Sequence, residues 1–152
     1  MTEAVETLEG VYREHGAKLW RALFAYTADR ELASDALAEA FAQALARGDA
    51  IRSPASWAWT AAFRIAAGQL KEQARRGSGT ADPAYDMPEP IADVVAALAK
   101  LPPKQRLAIV LHDYADRPTD EVARTLGASR ATVHVHLSVG RRRLRELLSD
   151  DE

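Results

Sequence analysis

Pro118–Leu148, PTDEVARTLGASRATVHVHLSVGRRRLRELL, is the stretch from which the rest of the chain can be read. Val122, Ala123 and Leu126 recur at helical spacing before Gly127-Ala128-Ser129, and Val133, Leu137, Gly140, Leu144 and Leu148 recur after it. Intervals of three and four place each set on one helix face. Gly127 provides the left-handed backbone that ends a helix, and Ser129 can accept from the free amides of the next helix start. The stretch therefore predicts two helices joined by a sharp turn, a helix-turn-helix pattern.

The second of these helices is basic. Arg130, Arg141, Arg142, Arg143 and Arg145 stand against Glu146 alone, a balance of +4 in a 152-residue chain whose net charge is −2. Burying Val133 and Leu137 while presenting Arg130, Thr132 and His134 suits insertion into a DNA major groove. Ser129 to His136 would then lie near base edges, with Arg130, Thr132 and His134 as the readers. Arg141, Arg142 and Arg143, two to three turns later, would meet phosphates.

Composition sets the class. An apolar fraction of 47% with only 7% aromatics points to cores of Ala, Leu and Val, and the proline-punctuated, alanine-rich text predicts an all-α fold. The absence of cysteine excludes a disulfide frame and thiolate metal sites, and fits a reducing compartment. The acidic start MTEAVETLEG is unlike a secretory signal, and no apolar run is long enough to span a bilayer. The expectation is a soluble, cytoplasmic protein without membrane insertion.

Working outward, Val5, Leu8, Val11, Tyr12, Leu19, Leu23 and Tyr26 predict one or two helices to Thr27, with Gly10 and Gly16 as possible breaks. Asp29 to Ala46 predicts another, with Leu32, Ala36, Leu37, Ala40, Phe41, Ala44 and Leu45 inside, closed by Gly48. Ser53-Pro54 reads as an N-cap and first turn of a helix to about Arg76. Trp57 and Trp59 lie about 200° apart around it, so both cannot enter one core. Residues Ser53 to Arg76 carry Arg64, Lys71, Arg75 and Arg76 against Glu72, a balance of +3. GSGTADPAYDMPEP, Gly77 to Pro90, is too polar and proline-rich to offset its ordering entropy and reads as an acidic flexible linker. Beyond it Ile91, Val94, Val95 and Leu98 predict a short helix, and Pro102-Pro103 starts another with Leu107, Val110, Leu111 and Tyr114 inside. The expected layout is two small helical domains, residues 1–76 and 91–148, a linker over 77–90 and an acidic tail over 149–152.

Other chemistry finds little footing. His134 and His136, two apart on a helix, point to opposite sides and cannot share a metal. Gly77-Ser78-Gly79 follows a helix rather than a strand and lacks the phosphate-loop lysine. No nucleophile with a base, metal set or paired catalytic carboxylate is present; catalytic residues and cofactors are expected to be none, and no small-molecule substrate is expected. Asp35 and Glu39, at i and i+4, repel mildly on a solvated face, which favours a partner surface over catalysis.

With both halves laid out, the chain resembles the extracytoplasmic-function (ECF) group of the bacterial sigma-70 family over nearly its whole length. Leu101–Leu147, LPPKQRLAIVLHDYADRPTDEVARTLGASRATVHVHLSVGRRRLREL, carries the family's LPP-x-x-R opening, E-V-A-x-x-L-G helix, T-V recognition-helix start and R-R-R-L-R end in order. It looks like the domain that reads the minus-thirty-five promoter element. Ala33 to Phe41 is similar to the face that grips the polymerase clamp helices: Asp35, Glu39 and Phe41 match, whereas Ala38 replaces the usual glutamine. Ile65-Ala66-Ala67-Gly68 has glycine where asparagine is common. The resemblance implies core RNA polymerase, promoter DNA and an anti-sigma factor as partners, with the linker running through the polymerase's RNA path. Arg47, Asp49, Arg52, Trp57, Trp59, Lys71, Arg75 and Arg76 are then the candidates to border the opened minus-ten strand.

Two other functions compete. A helix-turn-helix regulator acting without the polymerase would need a dimer face, and no heptad stripe is left over to supply one. A sigma-mimic interaction module that does not bind DNA is disfavoured by basic charge on both domain ends.

Overall fold

The computed structural model describes residues 7–77 and 88–149. Among them every regular element is helical: α1 (Leu8–Thr27), α2 (Arg30–Arg47), α3 (Pro54–Arg76), α4 (Glu89–Ala99), α5 (Pro103–Ile109), α6 (Thr119–Leu126) and α7 (Arg130–Ser149). A short 3-10 turn, Gly48–Ala50, follows α2, and a π-helical turn, Val110–Tyr114, extends α5. None of the described helices is long and apolar enough to cross a membrane.

Helix α1 is unbroken despite Gly10 and Gly16. Each glycine costs about 1 kcal/mol in a helix interior, and burial of Val11, Leu19, Leu23 and Tyr26 outweighs that. Asp29 caps α2 by accepting from the amides of Glu31 (2.9 Å) and Leu32 (3.1 Å). Ser53 precedes α3 with Pro54 in the first turn as expected, but its hydroxyl makes no capping bond. Leu45, expected inside, is 72% exposed because the inner stripe of α2 runs through Ala33, Ala36, Ala40 and Ala44. On α4, Ala92, Val95, Ala97 and Leu98 are buried while Ile91 and Val94 face outward.

The π turn changes the register of α5. Widening to i→i+5 bonds adds a residue to one turn, so the face predicted from a 3.6 period shifts by about 100° beyond it. Leu107, Val110 and Leu111 stay buried, but Tyr114 is 45% exposed and Ala115 takes the inner position. The linker expected over 77–90 falls mostly outside the described residues. Gly77 caps α3 with φ of 72°, and Glu89 and Pro90 already belong to α4, so the linker's far boundary moves back to Pro88. The acidic tail beyond Ser149 also lies outside the described residues.

Helices α1 to α3 pack as one group and α4 to α7 as another, and the two groups pack on each other through α3 against α6 and α1 against α4 and the π turn. One buried cluster runs through both, from Val11, Leu19, Trp59 and Phe63 to Leu111, Val122 and Leu137. At the junction Glu121, 3% exposed, takes both arms of Arg117, from Nε to Oε2 at 2.6 Å and from Nη2 to Oε1 at 2.7 Å. The same guanidinium lies over the Trp59 ring at 5.1 Å. Arg106 bridges the groups too, donating to the Tyr26 carbonyl at 3.1 Å and to that of Leu101 at 3.0 Å.

Removing one member of the Arg117–Glu121 pair leaves a buried charge alone. Arg117→Ala should lower stability by about 3–5 kcal/mol in urea denaturation, whereas a double replacement with Arg117→Met and Glu121→Leu should recover most of the loss. Equal losses in the single and double variants would show that a buried charge left alone is not the source of the loss.

Candidate nucleic-acid interface

Helices α6 and α7 meet at a tight turn over Gly127 to Ser129. Gly127 ends α6 in the left-handed region at φ 68°, and the Ala128 amide reaches back to the Ala123 carbonyl at 3.0 Å, a Schellman closure. Ser129 accepts from the Thr132 amide at 3.1 Å and donates to its hydroxyl at 2.9 Å. The cap fixes the first turn of α7, on which Arg130, Thr132 and His134 are all exposed, with His136 half-buried behind them. Val133, Leu137 and Gly140 form the inner edge. Gly140 is where α7 meets α5 most closely: a Cβ there would come within 2.8 Å of Ile109 Cδ1.

The arginines differ in what they touch. Arg130 Nε lies 3.1 Å from Asp120 Oδ1 on α6. Arg141 grips Asp113 of the π turn, through Nε at 2.8 Å and Nη2 at 2.6 Å, and Arg143 Nη1 donates to Gln105 at 3.3 Å. Arg142 and Arg145 are exposed and have no ion-pair partner among the described residues. Asp113 also accepts from His112 at 2.9 Å. The Arg141 guanidinium, helped by His112, holds the Asp113 carboxyl below its ordinary value, and the carboxylate in turn raises Arg141. Arg141 is thus a phosphate candidate already held by an internal anion, while Arg142 projects without one.

On α3, Trp57, Arg64, Lys71 and Arg75 follow one another at intervals of seven, seven and four and share one side of the helix, which borders α6 and the groove between the halves. Trp57 is the half-buried ring at this surface, with the Arg47 guanidinium 5.4 Å from its centroid. Trp59, the other minus-ten candidate ring, is 1% exposed: it stacks on Phe63 and donates through Nε1 to His15 Nδ1 at 3.2 Å. Buried on the opposite side of the helix, it is a core residue and not available to a DNA strand. Asp49 and Arg52 sit exposed in the turn between α2 and α3. Arg75 and Arg76 both reach Glu72, at 2.6 Å and 3.2 Å, and draw its carboxyl below the ordinary value. Lys71 lines a groove of about 680 Å³ between the two halves, with Lys104 and Arg106 across it. Arg64 enters the sequence reading only as charge; in the fold it donates to the Arg124 carbonyl at the end of α6 at 2.6 Å.

The third set lies on α2. Asp35 and Glu39 are exposed, the latter accepting from Gln43 at 3.0 Å. Phe41 faces inward, 8% exposed and edge-on to Tyr12 at 5.0 Å, so it supports this face from beneath and does not lie on it. The apolar side chain that does lie outside is Leu45, which the apolar stripe alone assigns to the core.

Residues 91–144 match the family model described as "Sigma-70, region 4". The ECF RNA polymerase sigma factor SigJ of Mycobacterium tuberculosis is 33% identical over 117 residues, covering 65% of this chain and 38% of that one. The ECF RNA polymerase sigma factor SigE of Mycolicibacterium smegmatis is 41% identical over 58 residues, 38% of this chain and 23% of that one. The chain therefore spans less than two fifths of either relative. In fold it is similar to the sigma factor RpoE of Bartonella quintana, solved in complex with the anti-sigma factor NepR, with a TM-score of 0.80 at 22% identity over 97% of this chain and 100% of that one.

The Asp113–Arg141 pair has a definite pH signature. A carboxyl whose folded pKa is depressed contributes stability that is complete above its unfolded value, about 3.9, and is lost as pH falls through the lower folded value. The stability gap between the native chain and Asp113→Asn should therefore be present above about pH 4 and close below it. A gap unchanged down to pH 2 would remove charge as its origin.

Proposed function

We propose that the chain is a member of the ECF group of the sigma-70 family that binds core RNA polymerase and directs it to promoters, performing no chemistry itself. The observation that carries this reading is the separation of three surfaces on one helical frame. A capped basic helix presents a groove-reading face, α3 presents Trp57 among basic residues, and α2 presents exposed Asp35 and Glu39. On this proposal α7 reads the minus-thirty-five element, the α2–α3 turn with Arg47, Asp49, Arg52 and Trp57 borders the opened minus-ten strand, and α2 docks on the clamp helices. The packed arrangement of the halves places α6 against Arg64 of α3, and promoter engagement by both surfaces would require the halves to separate. An anti-sigma factor, the kind of partner in the Bartonella complex, is proposed to hold the packed form in the cytoplasm. Run-off transcription with purified core polymerase tests the function directly: promoter-specific transcripts support it, and core polymerase that gains no promoter selectivity overturns it.

Reversing Asp35 and Glu39 together to lysine should leave helicity and melting temperature nearly unchanged, since both are exposed, while weakening core-polymerase binding by about tenfold or more. Unchanged affinity would remove α2 as the polymerase face.

The roles along α7 separate by salt. Arg142→Ala should weaken preferred and scrambled minus-thirty-five duplexes alike and reduce the salt slope by about one unit. Arg130→Ala should cost about 1–3 kcal/mol on the preferred duplex only and relax specificity. The reverse pattern in binding measured at several salt concentrations would overturn this division.

A further inference from the structure

Val135 is 58% exposed in the middle of α7. Ala131, Val135, Ser138 and Arg142 follow at intervals of four, three and four, all exposed, on the side of the helix opposite Val133, Leu137 and Gly140. Val135 therefore sits at the centre of the outward face, with Ala131 one turn before it and Arg142 two turns after it. Folding supplies no reason for a valine there. It buries little, and a β-branched residue is a poorer helix former than most of the polar residues that could replace it.

The placement fits one chemistry. Val135 lies about 8 Å along the axis from the capped start of the helix, within the part of a recognition helix that reaches the groove floor. Arginines on the same helix carry the charge that brings DNA to this face. In the major groove the one apolar group that a base pair presents is the 5-methyl of thymine, and small apolar side chains are what meet it. We propose that Val135, with Ala131 beside it, reads a thymine methyl group in the minus-thirty-five element. This inference rests on α7 being the promoter-reading helix and adds a base identity to it. It also makes the recognition apolar at its centre, with the polar candidates Thr132 and His134 to either side.

The test uses holoenzyme assembled from core RNA polymerase and the full chain. A promoter duplex is enriched from a pool randomised across the minus-thirty-five element and then resynthesised with deoxyuridine for each thymidine in turn, which deletes only the methyl group. The native holoenzyme should bind about fourfold more weakly at one such position, the value of one methyl group taken from water. Holoenzyme carrying Val135→Ala should lose most of the discrimination between the thymine and uracil duplexes at that position, with unchanged helicity and core-polymerase affinity. An enriched element without thymine, a native enzyme indifferent to every substitution, or full discrimination in the variant would each overturn the assignment. So would a variant that loses core-polymerase affinity and keeps the thymine preference, since the valine would then face protein. Failure to enrich any element, with no promoter-specific transcripts, would bring down the promoter-reading function itself and the valine assignment with it.

Discussion

A buried carboxylate has to be paired, and Glu121 is the one described carboxylate that the fold takes almost wholly out of water. Its partner Arg117 stands four residues before it, with its guanidinium carbon over the Trp59 ring, 5.1 Å from the centroid. That one cation does two things. It neutralises Glu121 so that α6 can start inside the structure, and it offers α3 a surface that an indole can stack on. The position of α6 then sets the Gly127 turn and, through it, the direction in which α7 leaves. Helix α7 is therefore aimed, at one remove, by a tryptophan in the other half of the molecule.

The charge on α7 is arranged more finely than a count of arginines suggests. Asp120 and Asp113 hold Arg130 and Arg141, and Gln105 holds Arg143, while Arg142 makes no ion pair among the described residues. Exposed pairs of this kind contribute little stability, typically about 0–1 kcal/mol, and exchange readily for a phosphate. Their effect is to restrain long side chains and to lower the basic field around α7. Glu72 plays the same part for Arg75 and Arg76 at the end of α3. A chain with a net charge of −2 can thus present basic surfaces without being basic overall.

The all-α class, the turn at Gly127, the Ser129 cap and the starts of α3 and α5 are legible in the sequence because each depends on a residue's local chemistry: a glycine, a hydroxyl, a proline. What the sequence hides depends on neighbours far along the chain. A 3.6 period carried through a turn that widens to π puts Tyr114 inside, and nothing in VLHDY announces that widening. A leucine near the end of an apolar stripe looks buried, whereas alanines fill the inner seam of α2 and leave no room for Leu45. Geometry alone establishes that Trp57 and Trp59 cannot share a core, but which of them is buried requires Phe63, His15 and Arg117 to be brought to one side of α3. Phe41 matches a family pattern and yet serves that surface from below. The bonds between the halves are unreadable for the same reason, since Arg64 to Arg124 and Arg106 to Tyr26 join residues 60 and 80 positions apart.

Those bonds also bear on how the proposed cycle would run. Arg64 to the Arg124 carbonyl, Arg124 to Ser56, Thr125 to Thr60 and Arg21 to Tyr114 are polar and mostly exposed, so each adds at most about 0.5–1.5 kcal/mol to closure. Arg117 and Glu121 lie in the same half, four residues apart, and separation of the halves does not break their pair. What separation removes is the indole above the guanidinium, and it lets water reach the two charges. Rehydration of the ion pair offsets part of the cost of exposing the Trp59 ring, which makes this junction cheaper to open than an equally buried junction of leucines. Inverting a 99:1 preference for the packed form requires about 5.5 kcal/mol of differential binding. On the proposed roles, a polymerase that takes α2 on its clamp while the promoter it holds takes α7 gains the second site at the effective concentration set by the first, and so acquires that difference without either site being tight alone.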